Sequence, residues 1–125
     1  MPVQISHFVK RRFLLLKLEG TRTLGRETQE SISLWRQAAD LARETERTHV
    51  LAEFHISGNL PLQQCIDILN QGGSSGMHPD LKLAVVVGEG FQLNMHLFRN
   101  YLHHMGYEVE IFQNRATAKR WLLNT

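Results

Sequence analysis

Residues 83–87 read Leu-Ala-Val-Val-Val, apolar at every position. A strand with one wet face alternates apolar and polar side chains. An unbroken apolar run therefore belongs inside a sheet that is covered on both faces. Lys82 and Gly88 bound the run, which is far shorter than the roughly 18–20 apolar residues that cross a bilayer. A chain that holds such a strand must supply strands beside it and helices above and below it. The expected fold is a layered α/β domain.

The rest of the chain supplies those parts. Val3, Ile5 and Phe8 suggest a short first strand, and residues 12–19, with Phe13-Leu14-Leu15-Leu16, a second, joined by a hairpin across 7–11. Residues 27–46 read as a helix of about five turns, in which Ile32, Trp35, Ala39 and Ala42 recur at helical spacing and Ala38 and Leu41 widen the stripe. Glu27 and Glu30 suit the positive end of its dipole, Arg43 and Arg47 the negative end. Residues 49–56 form the next strand, closed by Ser57-Gly58-Asn59. Pro61 then opens a shorter helix carrying Leu62, Cys65, Ile66 and Leu69. Residues 70–80 are polar and glycine-rich and read as a loop. After 83–87, Gly88 and Gly90 turn the chain into a third helix with an inward stripe of Phe91, Met95, Phe98, Leu102 and Met105, stopped by Gly106. Residues 107–112 make the last strand, with Val109 and Phe112, or Tyr107 and Ile111, toward the helices. Asn114 caps a final helix in which Ala118, Trp121 and Leu122 face inward.

This order predicts one domain over residues 1–125: a mixed, mostly parallel five-stranded sheet with four helices, right-handed crossovers and one antiparallel edge. At 125 residues, 42% hydrophobic and 21% charged, the chain is of single-domain size and globular composition.

Charge and special residues narrow the function. The formal charge is +2, and the one tight basic cluster is Lys10-Arg11-Arg12, too narrow a field for collecting nucleic-acid phosphates. No apolar signal core follows the N-terminus, so the cytoplasm is the expected compartment. Cys65 is the single cysteine, which rules out an intrachain disulfide and a multi-cysteine metal site; its neighbours on the helix stripe explain it as core packing. The seven histidines include no zinc signature, since His103 and His104 diverge on a helix and His96 and His103 lie two turns apart. Gly72-Gly73-Ser74-Ser75-Gly76 could cradle an anion, but it joins a helix to a strand and carries no lysine, so a connector is the simpler reading. No cofactor and no nucleophile–base constellation is legible.

The layout resembles the STAS domain, the fold of anti-sigma-factor antagonists and of sulfate-transporter cytoplasmic domains, and within it the SpoIIAA-like branch. The residues that carry the resemblance are Phe13-Leu14-Leu15-Leu16-Lys17-Leu18-Glu19-Gly20 before the long helix, the strand 49–56, and the ending Ala116-Thr117-Ala118-Lys119-Arg120-Trp121-Leu122. The resemblance implies a non-enzymatic module that presents a surface to a protein partner or a small ligand. In the anti-sigma antagonists a phosphorylatable serine follows an aspartate where the third strand meets the second helix. Here that stretch reads Ile56-Ser57-Gly58-Asn59-Leu60-Pro61-Leu62, with no Asp-Ser pair, so the phosphoserine switch is not expected.

The candidate ligand or partner site is therefore His55, Ser57 and Asn59 at the carboxyl end of the third strand, where ligands gather in open sheets, together with Ser74 and Ser75. A second candidate surface is the band Leu93, Leu97 and Tyr101 on the third helix, beyond the inward stripe, which suggests a homodimer. A small apolar or lipid-like ligand held between helices and sheet is the alternative to a protein partner.

Overall fold

The computed structural model describes residues 3–21, 25–57, 81–87, 92–104 and 106–124. Its strands are β1 (Gln4–Val9), β2 (Leu14–Thr21), β3 (His49–Ser57), β4 (Lys82–Val86) and β5 (Glu108–Phe112). They lie side by side in sequence order, with β1 antiparallel to β2 and every other neighbour pair parallel. The three described helices are α1 (Glu27–Glu44), α2 (Gln92–His104) and α3 (Arg115–Leu123). The helix expected near residues 61–69 lies outside the described residues, and the other three expected helices are present.

The apolar run sits where its composition requires. β4 lies between β3 and β5, and Ala84 and Val85, pointing to opposite faces, are both fully buried. On one face Leu14, Leu16, Leu18, Val50, Ala52, Leu83, Val85 and Val109 pack against Leu34, Ala39 and Ala42 of α1 and Leu102 of α2. On the other face Leu15, Leu51 and Ala84 meet Ala118 and Leu122 of α3. Each fully buried leucine there stabilises the fold by about 1.5–3 kcal/mol relative to exposure.

Local chemistry explains the helix ends. Asn114 has extended backbone, and its side-chain oxygen accepts from the Thr117 N–H at 2.8 Å, capping α3 as its position suggests. Gly106 stands at φ +96°, a conformation open to glycine at little cost, and turns the chain from α2 toward β5.

Three details of packing depart from the sequence expectation. In α1 the deepest side chains include Ser31 and Leu34, while Ile32 is only half-buried, so the inward stripe is rotated toward Leu34. In β5, Tyr107 and Ile111 share the α1–α2 face, as one of the two expected pairings has it, but Val109 joins them there and Phe112 turns to the α3 face, its ring centroid 5.7 Å from that of Trp121. A strand alternates strictly, so residues three apart cannot share a face. The hairpin turn lies at residues 10–13 rather than 7–11, because β1 and β2 stay paired as far as Val9 and Leu14.

Candidate functional site

α3 packs on β3, β4 and β5 and reaches β2 at Leu15, which is buried in one cluster with Ala118 and Leu122. Phe8 pairs directly with Leu15 across the β1–β2 ladder and is 44% exposed, and its neighbour Val9 is 50% exposed. The Lys10 and Lys17 ammonium groups lie 5.9 and 5.5 Å from the centre of the Phe8 ring.

Beside this strip, a groove of about 410 Å³ runs between the hairpin turn and α3. Phe13, Leu15 and Leu123 give it an apolar lining, and Lys10, Arg11, Arg12, Arg115 and Lys119 supply five cations; among the described residues no carboxylate lines it. The turn is held from both sides. Arg47, three residues past the end of α1, donates to the Lys10 carbonyl and to the Thr45 carbonyl, each at 3.0 Å. Arg12 donates to the Leu123 carbonyl at 3.4 Å. Lys119 sits 5.6 Å from the centre of the Phe13 ring, so its charge caps the apolar lining while the ammonium stays exposed.

One of the five cations is already matched. Arg115 donates to both oxygens of Glu53, from Nε to Oε2 and from Nη2 to Oε1, the latter at 2.7 Å. The Glu53 side chain is only 6% exposed against 51% for Arg115, so the pair pins the first turn of α3 to the middle of β3. The guanidinium hydrogen bonds hold the Glu53 carboxyl below the ordinary carboxylate range against the opposing effect of burial, and the charges of Arg115, His55 and Lys17 act in the same lowering sense. The hydrogen bond to Glu53 in turn raises Arg115 above its ordinary value. Lys10, Arg11, Arg12 and Lys119 remain to meet a negative partner.

The sequence candidates fare unevenly. His55 is exposed, on the same face of β3 as Glu53, with its Nε2 3.7 Å from Glu53 Oε1. Ser57 ends β3, in register with Thr21 of β2. Asn59, Ser74 and Ser75 lie outside the described residues. Tyr101 of the proposed dimer band is half-buried and packs against the main core, while the side chains of Leu93 and Leu97 lie outside the described part of the structure. The cleft lined by Trp35, Ala38, Ala39, Val50, Leu81 and Leu83 measures about 10 Å³, the room of one water rather than of a lipid-like ligand.

The residues that sequence reasoning missed are Arg115 and Lys119. Read as a linear cluster, Lys10-Arg11-Arg12 is small, and the fold doubles its reach by bringing up the last helix. A signal was present: Arg115 and Lys119 are four apart and share a helix side, next to the buried pair Ala118 and Leu122. No described helix is long and apolar enough to cross a membrane. No protein-family model matches the sequence, and no curated protein matches it.

Proposed function

We propose that this chain is a non-enzymatic protein-interaction domain on a STAS-like layout, and that it receives an extended acidic segment of a protein partner in the groove between the hairpin turn and α3. The observation that carries the reading is the lining itself: an apolar floor rimmed by four cations that no described carboxylate neutralises. A concave groove with charge along its rim and apolar side chains below fits a chain segment that alternates acidic and apolar residues. Complementary charge supplies steering and register, and the floor supplies the apolar contact. The order of the elements, with one antiparallel edge and four strands in parallel sequence, supports the STAS-like part of the reading. The phosphoserine switch of anti-sigma antagonists is not part of it, because Ser57 is followed by glycine and asparagine and has no aspartate before it.

Exposed ion pairs contribute about 0.2–1 kcal/mol each, so binding to an unselected acidic peptide is weak, on the order of 0.1 mM, and sensitive to salt. Fluorescence anisotropy with a labelled peptide of alternating Glu and Leu tests this. Saturable binding that salt weakens, and that the double variant Arg11→Glu/Lys119→Glu abolishes, supports the reading. Absence of binding, equal binding by the charge-reversed variant, or tighter binding of a single-stranded RNA of equal charge overturns it.

A further inference from the structure

The two edges of the sheet are treated differently. The outer side of β5 is screened by α2: Arg99 holds Glu110 through Nε at 2.8 Å and Nη2 at 3.1 Å, and the His103 ring contacts the Val109 carbonyl oxygen. Among the described residues the outer edge of β1 has no such cover. The Lys10 N–H bonds to the Phe13 carbonyl at 2.9 Å, which fixes the phase of the antiparallel ladder. Gln4, Ser6 and Phe8 then bond inward to β2, and the N–H and C=O groups of Ile5, His7 and Val9 point to the outer edge. Among the described residues no side chain reaches those groups.

Soluble proteins blunt a free edge with charged residues, proline, a bulge or a covering element. Residues Gln4–Val9 read Gln-Ile-Ser-His-Phe-Val, with no Lys, Arg, Asp, Glu, Pro or Gly, and β1 pairs with β2 without a bulge. The two large hydrophobic residues that stand exposed among the described ones, Phe8 and Val9, are both on this strand.

We propose that the outer edge of β1 pairs with β1 of a second copy, antiparallel about a two-fold axis at His7, to make one continuous sheet through the dimer. The strand is self-complementary in that register. Ile5 faces Val9 of the other copy, apolar against apolar, in a hydrogen-bonded pair. Phe8 faces Ser6, which leaves the ring room, and Gln4 faces Lys10, so no Lys or Arg meets its like. A foreign strand would gain the same backbone bonds, but only a second copy has its side-chain pattern already matched by this chain. An axis normal to the sheet keeps the two basic grooves on one face and open. The proposal therefore stands apart from the proposed function.

Light scattering at tens of micromolar and at about pH 8, where a histidine is neutral, reads the outcome. The wild type is expected at twice the 14.4 kDa chain mass. His7→Pro removes an outward N–H without touching a β2 bond, and Val9→Lys puts a charge against the apolar pair. Each is expected to give the single-chain mass with an unchanged circular-dichroism spectrum. Leu97→Glu on α2 is expected to leave the doubled mass intact. A monomeric wild type, a dimer that survives both edge variants, or a dimer abolished by Leu97→Glu overturns the proposal.

Discussion

Truncating Arg115 to alanine strands a carboxylate. Glu53 is 6% exposed at its side chain, and its two oxygens lose both guanidinium hydrogen bonds at once. Removing one partner of a fully buried pair costs about 3–5 kcal/mol. Arg115 is itself half exposed, so water enters where it stood, and Lys17 and His55 still offset part of the charge. Arg115→Ala is therefore expected to cost about 2 kcal/mol, which lowers a urea midpoint by about 1 M at a typical slope. Glu53→Gln leaves a cation that can rehydrate and costs less, about 1 kcal/mol. The double variant is expected to lose less than the sum of the two, with a coupling of about 1–2 kcal/mol.

The pH dependence has a definite sign. The folded Glu53 carboxyl titrates below the ordinary carboxylate range, so its stabilisation is complete above that range and is lost as pH falls through the lower folded value. In Arg115→Ala the main lowering influence is gone and burial favours the neutral acid. The stability gap between wild type and variant is then expected to narrow as pH falls from neutral to below 4.5. Urea melts of the four proteins across that range are the assay. Additive losses, or a gap that does not change with pH, would refute the pinning role of the pair.

Three further outcomes follow from named contacts. Val85→Asp places a charge in a fully buried position and is expected to cost at least about 4 kcal/mol, read as loss of soluble protein or collapse of the urea midpoint. Asn114→Ala removes the α3 cap and is expected to cost about 1 kcal/mol in the same melt, with the far-ultraviolet spectrum unchanged. Lys82→Met removes an ammonium that donates to the Trp121 carbonyl at 3.0 Å and lies 4.5 Å from the centre of the Trp121 ring; a loss of about 1 kcal/mol is expected.

What the sequence made legible is what local periodicity encodes. The run 83–87 announces an interior strand because no wet face tolerates it, and Asn114 announces a cap because its side chain needs only residues three along. The stripe of α1 was read correctly at Trp35, Ala39 and Ala42 but took Ile32 in place of Leu34. A helix has several apolar residues to offer, and the sheet decides which ones it buries. Glu53 looked like an ordinary acidic residue within a strand. Its burial depends on Arg115, 62 positions away, and no local pattern carries that pairing. The groove was illegible for the same reason, since two of its five cations arrive from the other end of the chain.

A nitrogen-15 amide spectrum recorded during titration with the alternating Glu–Leu peptide measures the groove most directly. Shifts confined to residues 10–15 and 115–123, absent in Arg11→Glu/Lys119→Glu, are the expected result. Shifts centred on α1 and the cleft by Trp35, or an unchanged spectrum at saturating peptide, would contradict it.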